Sequence, residues 1–198
     1  STVNAYSNAL TRSTPTALST ARYYLAAASV GNYALFGGGR PDSSAVDAYS
    51  TSLTHSVPTA LSQARRQLNA ASVGNYALFG GGLYSGYSND VDAYNASLTR
   101  SLPSALGEAR YNLAAASVGN YALFAGGVAY DDGSYSSSYL DAYNASLTKT
   151  SKSLGMITSR GSSASVGSYA LFASGRGASV RSVNTSLTTA DIADLSRG

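Results

Sequence analysis

One phrase governs what this chain can become. Ala28-Ser29-Val30-Gly31-Asn32-Tyr33-Ala34-Leu35-Phe36 returns at 71–79, at 116–124 and, with Ser168 in place of the asparagine, at 164–172. All four phenylalanines of the protein sit at the last position of this phrase. A second phrase, Val46-Asp47-Ala48-Tyr49-Ser50-Thr51-Ser52-Leu53-Thr54, is matched at 91–99 and 140–148, and more loosely at 3–11 and 180–188. Between them lie Pro-x-Ala-Leu steps at Pro15, Pro58 and Pro103, then an arginine at Arg22, Arg65, Arg110, Arg160 and Arg197. A unit that recurs every roughly 40 to 50 residues buries its apolar face only against its neighbours, so the repeat decides the fold.

Each period reads as strands. Residues 25–30 and 33–36 are short apolar runs split by Gly31-Asn32, the signal of a tight hairpin in which glycine accepts a positive φ. After Gly37-Gly38-Gly39 and a polar loop, 46–49 and 52–54 form a second pair about a turn at Ser50-Thr51. Four strands per period is the pattern of a propeller blade. Small side chains at 26–28, 70–71, 114–116 and 162–164 suit inner strands that crowd an axis, with Tyr, Leu and Phe filling the widening wedges between blades. A helix over 16–28, rich in Ala and Leu, is the alternative; its Ser and Thr content, Pro15 and the lack of a charged face argue against it.

An arginine, an Ala-rich strand, Gly-Asn-Tyr-Ala-Leu-Phe-Gly-Gly and then Val-Asp-Ala-Tyr before a turn resembles the kelch repeat over nearly the whole chain. The resemblance implies an all-β, kelch-like β-propeller whose loops and rim bind protein partners. It is imperfect. The family's outer-strand tryptophan is replaced by Leu10, Leu53, Leu98, Leu147 and Leu187, and the diglycine becomes Ala125-Gly126 and then Ala173-Ser174, which predicts less regular late blades. Four inner and five outer hairpins leave one outer hairpin surplus, so residues 1–198 are expected to form one repeat domain of about four four-stranded antiparallel blades plus a hairpin. Either 3–11 or 180–188 can complete the last sheet, and 180–188, which has lost Asp-Ala-Tyr, is the weaker match. The ring is either closed within the chain, or incomplete and finished by a second copy or a longer parent chain.

Composition narrows the function. The 198 residues are 44% hydrophobic and 12% charged, with no cysteine and a net charge of +3 that is scattered singly; this excludes disulfide scaffolds and thiolate metal sites and argues against nucleic acid as a partner. No window approaches the ~18 apolar residues of a spanning helix, so membrane insertion is not expected. The Ser-, Ala-, Tyr- and Gly-rich composition favours an extracellular, virion or cell-surface setting. His55 is the only histidine and Glu108 the only glutamate. With no acid–base pair at hand the chain is expected not to be an enzyme, and no metal or other cofactor is expected.

Variation is concentrated in the second-to-third loops of the blades, the usual place for recognition on a uniform scaffold. Tyr84, Tyr87, Tyr130, Tyr135 and Tyr139 there carry apolar rings with a hydroxyl, beside Asp90, Asp131 and Asp132. The arginines Arg22, Arg65, Arg110 and Arg160 enter the inner strands from the same face, either ringing a channel mouth that holds an acidic ligand or pairing structurally with Asp47, Asp92 and Asp141. The expected function is a recognition module for a protein or cell-surface glycan; the alternative is a structural segment that completes a larger assembly by homo-oligomerisation.

Overall fold

The computed structural model describes residues 2–129, 136–155, 160–175 and 179–192. They contain eighteen strands and no helix. Blade 1 is β3 (Ala26–Val30), β4 (Tyr33–Gly37), β5 (Val46–Ser50) and β6 (His55–Ser56). Blade 2 is β7 (Asn69–Val73), β8 (Tyr76–Gly80), β9 (Val91–Asn95) and β10 (Arg100–Ser101). Blade 3 is β11 (Ala114–Val118), β12 (Tyr121–Ala125), β13 (Tyr139–Asn144) and β14 (Lys149–Ser153). Blade 4 is β15 (Ser162–Val166), β16 (Tyr169–Ala173), β17 (Val180–Asn184) and β18 (Thr189–Asp191). Each is an antiparallel meander in chain order. The surplus pair, β1 (Ala5–Tyr6) and β2 (Arg12–Ser13), makes a two-stranded sheet of its own. The better-matching N-terminal copy is therefore left outside the blades, and the degenerate copy at 180–188 completes the last one.

The segment 16–25, where a helix was the alternative, is loop running into β3. The outer hairpins depart from the expected two-residue turn. Leu53 N–H donates to Ser50 O at 2.8 Å and Ser50 N–H to Thr54 O at 3.0 Å, with Leu53 at φ 60°, so the fourth strand starts at His55 and not at Ser52. Leu10, Leu98, Leu147 and Leu187 adopt the same positive φ. A leucine in that conformation costs of order 1 kcal/mol, and at Leu187, only 6% exposed, burial in the joint between blades offsets it.

Alternate residues of each strand face opposite joints, as the period of two requires. Between blades 1 and 2, Ala26, Val30, Leu35, Val46 and Ala48 meet Leu68, Ala70, Ala77, Phe79 and Tyr94, with Leu61 of the connecting segment between them. The joints between blades 2 and 3 and between blades 3 and 4 repeat this arrangement. Phe79 lies against Gly37 and Phe124 against Gly80, which is why the second strands of blades 1 and 2 end in glycine: a Cβ at Gly37 would come within 2.9 Å of the Phe79 ring, whereas the second strand of blade 3 ends in Ala125. The four Ala- and Ser-rich inner strands line one axial opening of about 320 Å3, including Ala28, Ala71, Ala116 and Ala164. Ser72 donates to Ser29 O at 2.6 Å, Ser117 to Ser72 O at 2.6 Å and Ser165 to Ser117 O at 2.5 Å, stitching the inner strands in series.

The series does not close among the described residues. Val30, Val73 and Val118 are each 3% exposed, whereas Val166 of blade 4 is 61% exposed. Ala77, Ala122 and Ala170 are fully buried, and their blade 1 counterpart Ala34 is exposed. Blade 1 thus presents one bare face and blade 4 the complementary one.

Candidate functional site

Turns β3–β4 and β5–β6 lie on one face; the second-to-third loops and the links between blades lie on the other. On this second face the links thread between blades: Leu61 N–H donates to Ser44 O, Arg65 N–H to Ser43 O and Gly39 N–H to Arg65 O. Each link is pinned to its blade by a buried tyrosine. Tyr49, Tyr94 and Tyr143 donate their hydroxyls to Thr16 O, Thr59 O and Ser104 O at 2.8, 2.8 and 2.7 Å. Burial raises the hydroxyl pKa of Tyr94 and Tyr143 well above the ordinary tyrosine range, and the neighbouring Asp92 and Asp141 push the same way.

Three of the recurrent arginines are in the interior and not at a rim. Arg22, Arg65 and Arg110 bind Asp47, Asp92 and Asp141 at 2.5, 2.7 and 2.7 Å, with side chains on both sides of each pair fully shielded from solvent. The guanidinium groups also donate to Phe36 O, Phe79 O and Phe124 O, tying each link to the second strand of its blade. The carboxylates are further held from outside: Asp47 accepts from Ser19 N–H and contacts His55, Asp92 accepts from Ser62, and Asp141 accepts from Gly107 N–H and Ser151. Burial raises the Asp47 carboxyl, but the hydrogen bonds from Ser19, His55 and Arg22 outweigh it and hold the group below the usual carboxylate range. These arginines have no free donor surface for an acidic ligand.

Arg160 belongs to a different set. It adopts φ 55°, as do Tyr24 at 56°, Gln67 at 54° and Asn112 at 51°, so it occupies their place two residues on from the buried arginines. Backbone bonds join the four in series: Gln67 N–H to Tyr24 O and Asn112 N–H to Gln67 O at 3.0 Å, and Arg160 N–H to Asn112 O at 3.2 Å. They surround the mouth of the axial channel on the loop-bearing face, a cavity of about 510 Å3 also lined by Leu25, Leu68, Leu113 and Asn69. Leucines form its apolar part, two asparagines, a glutamine and a tyrosine offer hydrogen bonds, and Arg160 is the one charged lining residue among the described residues. Among the described residues the lining thus combines hydrogen-bonding groups with one guanidinium.

The loop residues lie elsewhere. Tyr87 stacks on Tyr111 with ring centres 5.2 Å apart and planes at 12°, linking the blade 2 loop to the entry of blade 3. Tyr84 closes a tight turn through its N–H to Gly86 O, and the Asp90 carboxylate accepts from Ser88 Oγ at 2.9 Å. Tyr139 opens β13, is 41% exposed and lies alongside Gly107. None of these four lines the mouth. Tyr130, Asp131, Asp132 and Tyr135 fall outside the described residues. Tyr24, Gln67 and Asn112 were not singled out from the sequence. The signal was there: within Ala-Arg-x-x-Leu-x-Ala-Ala-Ser-Val, kept in the first three copies, this position carries a different residue each time, and Arg160 follows in the diverged fourth copy.

Comparison with known proteins separates fold from family. No family model matches this chain, and no curated protein matches it in sequence. Among solved structures, the chain titled "Structure of YjhT" is similar with a TM-score of 0.73 over 93% of this chain and 69% of that one, at 13% sequence identity. That likeness is one of fold: the chain is an all-β array of propeller blades.

Proposed function

We propose that this protein is a non-enzymatic recognition module that binds a protein or a cell-surface glycan on its loop-bearing face, with the channel mouth as the anchor. The carrying observation is the ring of Tyr24, Gln67, Asn112 and Arg160: four structurally equivalent positions, all at positive φ, with four different side chains around one cavity. Backbone held in this conformation by non-glycine residues is costly and tends to persist at ligand sites. Side chains that serve only packing repeat with the blade here, as the Arg–Asp pairs and phenylalanines do; side chains that read a ligand have no reason to. Arg160 offers a charge-assisted fork to an anionic group, and the amides suit hydroxyls or peptide groups.

A glycan array and a displayed peptide library, probed with the labelled chain, test this reading. The expected hits weaken about tenfold or more in Arg160→Ala and in Gln67→Ala, and are unchanged in His55→Ala, whose ring lies on the outer strand of blade 1. Blank arrays and libraries, or hits indifferent to both mouth substitutions, overturn it.

A second reading is favoured by the bare faces of blades 1 and 4: the chain is a structural segment that completes a larger assembly through its open ends. The exposed Val166 and Ala34, at positions buried in every internal joint, carry it.

A further inference from the structure

The first hairpin is half a blade. β1 and β2 pair with the register of a third and fourth strand, Tyr6 opposite Arg12 as Tyr94 is opposite Arg100. The link that follows docks on blade 1 as the other links dock on theirs, through Tyr49 to Thr16 O and Ser19 N–H to Asp47, matched by Tyr94 to Thr59 O and Ser62 N–H to Asp92. Relative to blade 1 the hairpin therefore occupies the place that β5 and β6 occupy relative to blade 2. What it lacks is an inner hairpin. Among the described residues the second edge of β1 has no strand partner. Tyr6, whose counterparts Tyr49, Tyr94 and Tyr143 are at most 4% exposed, is 65% exposed, and Leu10 is 81% exposed.

The slot that remains has two walls of known chemistry. One is the free edge of β1, where the internal blades set the register: Ala48 lies opposite Leu35 and Tyr49 opposite Ala34, so Ala5 and Tyr6 call for a leucine and an alanine. The other is the bare side of blade 1. There Phe36 is half-buried and waits for the glycine that Gly37 supplies to Phe79, Ala34 is exposed, and Leu53, 37% exposed, has no valine beneath it.

We propose that this slot receives a β-hairpin of the repeat's own inner type, an Ala/Ser-rich strand, a Gly turn and a Tyr-Ala-Leu-Phe-Gly strand. It is strand addition to an open edge combined with burial of a prepared apolar face. The inference rests on the reading of the chain as part of a larger assembly and names the partner. A folded second copy does not fit, because each of its four inner hairpins is already paired with an outer one. The similar solved chain is matched over 69% of its length, so about a third of it has no counterpart here.

The experiment is hydrogen exchange by mass spectrometry on the whole chain with a synthetic peptide of sequence 26–39, Ala-Ala-Ala-Ser-Val-Gly-Asn-Tyr-Ala-Leu-Phe-Gly-Gly-Gly. Exchange in 2–14 and 27–36 is expected to slow about tenfold while blades 2 and 3 are unchanged. A peptide with Leu→Asp is expected to have no effect, and Tyr6→Pro, which breaks the β1 edge outside the packed blades, to abolish the protection with the internal blades intact. Protection that survives Tyr6→Pro overturns the slot. Protection of 2–14 that rises with chain concentration and without peptide overturns the proposed partner in favour of a second copy, but keeps the assembly. A sharp monomer in light scattering whose exchange the peptide does not touch overturns both.

Discussion

The residues that recur most faithfully work as pairs. Asp92 receives Arg65 and Ser62 in the interior, so Asp92→Asn leaves a shielded guanidinium without its counter-charge. Breaking one side of a buried pair costs about 3–5 kcal/mol, and a drop of that order in denaturant-induced unfolding is expected, where an exposed pair would move it by less than about 1 kcal/mol. Asp47 adds a pH dependence. Its folded pKa is below that of an unfolded aspartate, so the stabilisation is present above the unfolded value and is lost as pH falls through the folded one. Acid unfolding curves below about pH 4 are expected to flatten in Asp47→Asn. Tyr94 and Tyr143 act in the opposite sense. Their pKa values are raised, so stability is complete below the unfolded value of about 10 and falls as pH rises beyond it. Ultraviolet titration should show their tyrosinate signal only together with loss of the β-sheet circular dichroism, and ionisation with the sheet intact contradicts the burial.

At the scale of elements, the turn glycines measure the joints. Gly119 and Gly167 occupy equivalent turns at φ 51° and 53°, so alanine is equally strained in both. A Cβ at Gly119 would meet Thr185 Cγ2 at 2.7 Å, whereas at Gly167 nothing described lies within 4 Å. Gly119→Ala is expected to cost about 1–3 kcal/mol more than Gly167→Ala in thermal or chemical unfolding; equal losses would mean that blade 4 is covered after all. Val118→Ala and Val166→Ala give a second contrast, about 2 kcal/mol against less than about 0.5 kcal/mol. The hairpins themselves are legible from the sequence because Gly31 and its counterparts interrupt short apolar runs. The fourth strands start three residues later than the sequence suggests, since nothing in Thr51-Ser52-Leu53 announces a leucine at positive φ. Arg160 lies at the channel mouth, but not as the equivalent of Arg110: in the fourth copy the arginine stands two residues closer to the inner strand, so its type matches Arg110 while its backbone matches Asn112.

Across the whole molecule, four blades form a nearest-neighbour series whose middle is held on both sides and whose ends are held on one. Native-state hydrogen exchange is expected to be slowest in blades 2 and 3 and faster in blades 1 and 4, a gradient a closed ring would not produce. The number of strands and their grouping by four followed from the repeat alone. Which outer hairpin stands apart did not, because similarity to the consensus says nothing about which copy is next in the chain: β17 follows β16 directly and completes its sheet despite Arg181 in place of the aspartate. The mouth was hidden because its residues differ from one another, which is the property that argues for a ligand there. All of this depends on inner strands converging on one axis. Since the chain has no cysteine, spin labels can be placed at Ala28→Cys and Ala116→Cys, two residues lining the same axial opening of blades 1 and 3, and at the outer-turn pair Thr51→Cys and Ala145→Cys of the same blades. Dipolar distance measurement is expected to place the first pair much closer together than the second. A separation of the inner pair equal to or longer than that of the outer pair would contradict the radial arrangement.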